Sequence, residues 1–151
     1  MRVVIRADEA LPVAVAVVEC VRELRGACVV VGPLADDAIE WAQIAAEVGR
    51  RVARGDADWG VVLCWSGTGV AIAANKIPGV RAALCVDAET ARLARRYNHA
   101  NVLALSMRLT SIPVAAEIVR AFAGAPYGQD DFDLRNVAHL ATLEAPQQRG
   151  T

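Results

Sequence analysis

The chain has 151 residues, of which 55% are hydrophobic, with 16 basic and 17 acidic side chains. A chain of this size and hydrophobicity forms one domain around its own core, which excludes disorder. Because the charges nearly cancel, no whole-chain field attracts nucleic acid or an acidic membrane. The first apolar run, Val3 to Ile5, is too short for a signal peptide, and no apolar stretch reaches membrane-spanning length. We therefore expect a cytoplasmic protein.

Short β-branched segments alternate with longer segments of helical period, which indicates parallel strands joined by crossover helices. The predicted strands are Val3–Ala7, Cys28–Val31, Trp59–Cys64, Arg81–Cys85 and Asn101–Leu105. The predicted helices run from Pro12 to Gly26, Trp41 to Gly55, Thr68 to Lys76, Ala88 to Tyr97, Ile112 to Ala123 and Phe132 to Leu143. This pattern predicts a Rossmann-like three-layer αβα sandwich with a five-stranded parallel sheet, in a single domain over residues 1–145. Residues 146–151 form a polar tail that we expect to be frayed.

The last predicted helix carries an apolar face that could cover its own domain or a partner. The face consists of Leu134, Val137, Leu140 and Leu143. We expect it to pack on its own domain.

The four cysteines, Cys20, Cys28, Cys64 and Cys85, lie in apolar runs rather than in paired metal-binding spacings. In a reducing compartment we expect no disulfides. Neither a metal nor another cofactor is predicted, and three of these cysteines are expected to be small core residues.

The segment 64–76, Cys-Trp-Ser-Gly-Thr-Gly-Val-Ala-Ile-Ala-Ala-Asn-Lys, follows a predicted strand and opens a helix. In an open parallel sheet, ligands bind at this junction. Gly67 and Gly69 allow the backbone to approach a ligand, and the helix start presents free N–H groups that stabilise an anion. A glycine turn of this kind can also be a simple connection, so the spacing alone leaves both interpretations open.

The same segment resembles the active-site loop of the ribose-5-phosphate isomerase B and galactose-6-phosphate isomerase family. The similarity continues through residues 77–85, Thr90-Ala91-Arg92 and Asn101-Val102-Leu103. It implies a cofactor-free aldose–ketose isomerase that works through an enediol, with the thiol of Cys64 as the base. An ordinary thiol has a pKa of about 8.5, and a nearby helix N-terminus lowers the pKa of a thiol. The alternative is that Cys64 is only a buried cysteine at a strand end.

The resemblance also implies roles for the residues that follow Cys64. Ser66 and the amides of residues 67–69, from Gly67 through Thr68 to Gly69, would hold the enediolate oxygen. Asn75 belongs to the same loop and is counted with the substrate-binding residues.

Two histidines of the family pattern are missing. Where members read Ser-Asp-His-Ala-Gly, this chain has Ala7-Asp8-Glu9-Ala10-Leu11, so Asp8 is kept and Glu9 replaces a histidine. Tyr97, followed by Asn98, stands at the position of the histidine thought to open the sugar ring. A phenol donates a hydrogen bond but is a poor base at neutral pH. His99 is one residue out of register and is expected to be a surface or structural residue.

The phosphate-binding pattern is altered as well. The family's Arg-His-x-x-Arg is represented by residues 131–135, in which Arg135 is kept and Asp131 replaces the first arginine. Arg108 matches another phosphate-binding arginine, which often acts across a subunit interface. Exchanging an arginine for an aspartate adds repulsion as well as removing attraction, so we expect weak binding of sugar phosphates.

Larger apolar side chains replace small or polar ones in three places. Trp65 stands where the family commonly has glycine, and Leu34 and Trp41 replace polar positions. A pocket lined in this way suits a less hydroxylated, unphosphorylated, linear substrate. The alternative is that Leu34 and Trp41 belong to the core.

Three functions remain compatible with these residues. The first is an isomerase acting on a hydroxycarbonyl or sugar (phosphate) substrate that differs from the family's usual ones. The second is the thiol-bearing subunit of a hetero-oligomer, with a paralogue supplying the missing groups. The third is a catalytically silent binding protein, which the retained loop argues against. The resemblance implies a homodimer or tetramer with active sites at the interface, and no nucleic acid or membrane partner.

Overall fold

The computed structural model of the chain describes residues 1–24, 26, 28–31 and 40–144. Five strands form one sheet: Arg2–Ala7 (β1), Cys28–Val31 (β2), Trp59–Cys64 (β3), Ala82–Leu84 (β4) and Val102–Ser106 (β5). Every neighbouring pair is parallel, in the order β2-β1-β3-β5-β4. The predicted fold class is confirmed.

Within the described residues, six helices connect and cover these strands. They are Pro12–Glu23 (α1), Trp41–Ala53 (α2), Thr68–Ala74 (α3), Ala88–Asn98 (α4), Ile112–Gly124 (α5) and Asp131–Leu143 (α6). Helices α1 and α5 each have a proline in the first turn, a position that favours the start of a helix. The Asp87 carboxylate caps α4 by accepting from the Thr90 N–H at 2.6 Å.

Two apolar clusters lie on the two faces of the sheet, as a three-layer sandwich requires. One cluster packs α1, α4 and α5 against the sheet and contains Val17, Ile118 and Phe122. The other packs α2 and α3 and contains Ile44 and Val70. The central strand β3 is buried along its whole length, so its carboxyl end is held firmly in place.

The region between α3 and β4 is longer than predicted, because both flanking elements are shorter. Helix α3 ends at Ala74, two residues before the predicted Lys76, and β4 starts at Ala82. The Asn75 amide explains both changes, because it donates to the Ala82 carbonyl at 2.8 Å and accepts from the Ala82 N–H at 2.7 Å. Asn75 therefore ends the helix and covers part of the exposed edge of the sheet.

The expectation that α6 packs on its own domain holds only in part. No residue of α6 is buried, and Leu140 and Leu143 are 40% and 64% exposed. The helix contacts α4, and at its end the Glu144 carboxylate accepts from the Gly79 N–H at 2.8 Å. Of its apolar face, Leu134 and Val137 are half-buried in the single chain, whereas Leu140 and Leu143 remain exposed. Leu34 and the tail 146–151 lie outside the described residues, and none of the described helices is long and apolar enough to span a bilayer.

Candidate active site

The turn after β3 has a backbone shape that only glycine adopts easily. Gly67 has φ +75°, in the left-handed region. A Cβ at Gly67 would also lie 2.6 Å from Leu84 Cδ1 and 2.9 Å from the carbonyl carbon of Leu105. This glycine is therefore required by the turn itself, independently of any ligand.

The thiol of Cys64 lies at the inner end of a cavity of about 310 Å³. Its sulfur accepts a hydrogen bond from the Gly67 N–H at 3.2 Å, and the residue is only 5% exposed. This contact fixes the position of the sulfur at the turn between β3 and α3. The sulfur is buried but faces a cavity, which is the arrangement that proton abstraction requires.

Two hydroxyl groups stand beside the thiol. Ser66 Oγ and Thr68 Oγ1 are 2.7 Å apart, and the Thr68 N–H donates to Ser66 Oγ at 3.4 Å. Both residues are exposed and line the same cavity. The pair can reorient its hydroxyl hydrogens, so it can donate to an oxygen that gains charge during a reaction.

A carboxylate, Asp8, faces the same cavity from the end of β1. Its Oδ1 is buried and has no hydrogen-bond partner among the residues that the structure describes. Burial raises the pKa of Asp8, and the nearby charge of Glu9 raises it further. Asp8 therefore contributes a carboxyl group with a raised pKa to the cavity that Cys64 lines.

Two indoles form the mouth of this cavity. Trp41 and Trp65 are 46% and 56% exposed and line it together with the residues above. A Cβ at Gly69 would lie 3.0 Å from the Trp41 ring, so Gly69 leaves room for that indole. The alternative placement of Trp41 in the core is wrong, because the side chain stands at the start of α2 and faces the cavity.

Ser106 was missed by the sequence prediction, although it fixes the thiol-bearing loop. Its buried hydroxyl donates to the Trp65 carbonyl at 2.9 Å and accepts from the Leu109 N–H at 3.2 Å. The Met107 and Arg108 N–H groups bind the carbonyls of Cys64 and Trp65, each at 3.0 Å. The pairing of β3 with β5 explains this role, since Ser106 ends β5 directly beside Cys64.

The single chain does not bring the remaining predicted residues to the thiol. Tyr97 and Asn98 stand at the end of α4 and line a separate cavity against α6, with Phe132 and Asp133. Glu9, Arg108 and Arg135 do not line the thiol cavity. Asn75 lies outside it too, and its amide is used in holding Ala82 instead of the predicted substrate contact.

His99 has the structural role that its register predicts. It is 9% exposed, its ring stacks on Tyr127 with centroids 4.5 Å apart, and its Nε2 lies 2.9 Å from the Gly128 carbonyl. Over residues 1–24, 26, 28–31 and 40–144, no three metal-ligating side chains come together.

An open parallel sheet with a thiol, a carboxyl and two hydroxyls at its carboxyl edge defines an α/β domain with a small-molecule site suited to proton transfer. A sequence model described as Ribose/Galactose Isomerase matches residues 3–140. The chain belongs to this family, as the resemblance predicts.

Individual relatives agree with this assignment. Over 96 residues the chain is 38% identical to ribose-5-phosphate isomerase B of Escherichia coli, an alignment that covers 64% of each protein. Over 78 residues it is 47% identical to galactose-6-phosphate isomerase subunit LacB of Clostridium acetobutylicum, covering 52% of this chain and 45% of that one. The matched part thus spans less than two thirds of these two curated relatives.

A solved structure gives a match over nearly the whole length. Type B ribose 5-phosphate isomerase of Trypanosoma brucei superposes with a TM-score of 0.89 at 39% identity, covering 94% of this chain and 97% of that one. The fold of the family therefore extends over almost all of this chain.

Proposed function

We propose that the protein is a cofactor-independent isomerase of the aldose–ketose type, in which Cys64 moves a proton through an enediolate. One observation carries this proposal: the Cys64 sulfur accepts the Gly67 N–H at 3.2 Å inside a cavity that Asp8, Ser66 and Thr68 also line. The names of the family relatives, which are sugar-phosphate isomerases, support the same reaction class.

The proposed step needs no external oxidant or reductant. The Cys64 thiolate removes the hydrogen on the carbon next to the carbonyl as a proton, and the electron pair of that C–H bond forms the enediolate. The thiol then returns the proton to the former carbonyl carbon, so the carbonyl has moved by one position. General acid–base catalysis of this kind contributes about 10² to 10⁴ in rate.

The groups around the thiol have distinct parts in this scheme. The hydroxyls of Ser66 and Thr68 hold the oxygen on which charge develops. The Gly67 and Thr68 N–H groups, which the resemblance assigned to this oxygen, instead donate to the Cys64 sulfur and to Ser66 Oγ. Asp8 binds the neighbouring hydroxyl and moves its proton between the two oxygens, for which its raised pKa is suitable.

The substrate we propose is an open-chain hydroxycarbonyl compound that depends little on a phosphate group. Two indoles, those of Trp41 and Trp65, occupy the mouth of the thiol cavity. Aromatic walls favour the C–H faces of a less polar compound. Asp131, which stands where the family has an arginine, also disfavours a phosphorylated substrate, because its negative charge would repel a phosphate dianion.

We further propose that the complete site needs a second copy of this chain, in a homodimer or tetramer. Five predicted site residues do not line the thiol cavity of their own chain: Tyr97, Asn98, Glu9, Arg108 and Arg135. In addition, Leu140 and Leu143 on α6 are exposed. A partner copy would bring such groups to the thiol. A hetero-oligomer with a paralogue is the alternative, since one relative is itself named a subunit. A reducing cytoplasm would keep the thiol free.

Solvent deuterium entry into dihydroxyacetone, glyceraldehyde, erythrulose and ribose 5-phosphate tests the reaction. We expect the protein to exchange an unphosphorylated compound, and Cys64→Ala to slow this exchange by a factor of about 10² to 10⁴. Cys20→Ala is the matched control, because Cys20 is a second buried free cysteine, on α1. Equal exchange by the protein and by Cys64→Ala would leave the silent binding protein as the better interpretation.

A further inference from the structure

A second cavity lies on the layer formed by α1, α4 and α5, away from the thiol. It has a volume of about 620 Å³, twice that of the thiol cavity, and shares no lining residue with it. Leu93, Ala121 and Tyr127 give it apolar walls, and Arg92, Arg96 and Arg120 stand around it. We call it the arginine-rimmed cavity. Its size falls within the range of small-molecule sites.

One wall of this cavity is a strap, residues 125–128, which is fixed at several points. The Gly128 N–H donates to the Arg96 carbonyl at 2.9 Å, and a Cβ at Gly128 would lie 2.6 Å from that oxygen. Arg95 donates to the Tyr127 hydroxyl at 2.8 Å, and His99 stacks on the Tyr127 ring. A wall held in this way is formed before any ligand arrives, which lowers the cost of binding.

The charges around the cavity are not balanced. Arg92 has an ion-pair partner in Glu89 at 2.8 Å, and Arg120 has a longer contact with Glu23 at 3.6 Å. Arg96 has no carboxylate within 4.0 Å among the described residues. The lining therefore carries three cationic groups and one carboxylate, in a chain whose net charge is −1.

We propose that the arginine-rimmed cavity binds an amphipathic anion: a compound with an aryl or short alkyl group and a carboxylate, sulfonate or phosphate. The apolar group lies on Leu93, Ala121 and Tyr127, and the anionic group reaches Arg96 and Arg120. Inorganic phosphate alone leaves the apolar walls uncovered, and an uncharged compound leaves the arginines unused. Guanidinium groups form charge-assisted hydrogen bonds with all three anion types. This site is independent of the proposed isomerase reaction.

A pair of fluorescent probes tests the two parts of this proposal. The anionic probe is 8-anilino-1-naphthalenesulfonate, and the uncharged probe of similar shape is N-phenyl-1-naphthylamine. We expect the anionic probe to bind saturably at one site per chain, with an affinity about tenfold lower in the double variant Arg96→Gln, Arg120→Gln. Binding of the uncharged probe should change less than about twofold in that variant. Ala121→Leu should weaken both probes, because it fills the apolar wall.

Arg50→Gln is the control for loss of charge, since Arg50 is an exposed arginine on α2, on the other side of the sheet. Thermal unfolding of every variant shows whether the fold is intact. The proposal is overturned if the anionic probe binds the double arginine variant as tightly as the unaltered protein. Retained binding by folded Ala121→Leu, or equal losses in Arg50→Gln, would also overturn it, because the probe would then bind elsewhere.

Discussion

The two groups of predicted site residues behave differently in the structure. Cys64, Ser66, Thr68 and Gly69 come from one turn and lie in one cavity with Asp8. Tyr97 and Asn98, by contrast, lie in the cavity between the end of α4 and α6. The first group can be assembled by a single chain, whereas the second needs a further chain if it is to meet the thiol.

This difference is a consequence of the connectivity. In a parallel α/β sheet, the turn after each strand lies at the carboxyl edge, so β1 and β3 deliver Asp8 and Cys64 to the same edge. Helix α4 starts at this edge and runs back across the sheet, which carries Tyr97 to the opposite edge. In a symmetric dimer, the edge that carries Cys64 in one copy can face the edge that carries Tyr97 in the other copy. Each site would then be built from both copies.

Mixing two inactive variants tests this comparison and has the largest expected effect. We expect Cys64→Ala and the double variant Tyr97→Phe, Asn98→Ala to be nearly inactive as separate proteins. After joint unfolding and refolding in equal amounts, about a quarter of the normal exchange activity should return, since half of the dimers then hold one complete site. Deuterium exchange measures the regain. Cys64→Ala mixed with Asp8→Asn is the control, because both changes lie in the same half. No regain with the first mixture would mean that the two regions do not share a site.

The sequence predicts the fold well because its signals are local. Alternating apolar runs indicate all five strands, and Pro12 and Ile112 correctly mark helix starts. It also predicts the thiol cavity, since the turn of residues 64–69 is continuous along the chain. It does not reveal Ser106, because that hydroxyl contacts the loop only through the pairing of β3 with β5.

The exposure of Leu140 and Leu143 on α6 was not predictable for a related reason. The leucines of this helix have the spacing of a packed helix, but periodicity does not say which surface covers them. Asn75 is a further example, since its amide finds a backbone partner seven residues away, across a turn whose shape the sequence does not give.

Gly67 offers a test of how strongly the thiol turn is fixed. Gly67→Ala should lower the free energy of unfolding by about 3 kcal/mol, because the left-handed backbone and the crowding against Leu84 and Leu105 both oppose a Cβ. Gly55→Ala is the matched control, with φ +77° but open space around the added atom, and should cost about 1 kcal/mol. Urea denaturation measures both values. Equal losses for the two variants would mean that the crowding around Gly67 relaxes freely.

The substitution Asp8→Asn has the smallest expected effect on stability. It also separates a role in catalysis from a role in stability. Because burial raises the pKa of Asp8 in the folded protein, ionisation of this carboxyl opposes folding. The cost is absent at a pH below the ordinary carboxyl range, where folded and unfolded chains are both protonated, and it is complete once the pH exceeds the raised pKa. Asp8→Asn should therefore stabilise the protein slightly at neutral pH and lose this advantage as the pH falls, in urea titrations at several pH values.

The same variant should lose exchange activity at neutral pH, so that stability and catalysis change in opposite directions. Glu9→Gln is the companion variant, since the Glu9 charge contributes to the raised pKa of Asp8. Glu9→Gln is introduced into the unaltered protein and into Asp8→Asn. The difference in the free energy of unfolding between the two resulting proteins should then depend less on pH. If Asp8→Asn destabilised the protein at neutral pH, the carboxylate would be making a favourable contact in the folded chain. It would then be a structural group, and Asp8 would have no part in binding a substrate hydroxyl.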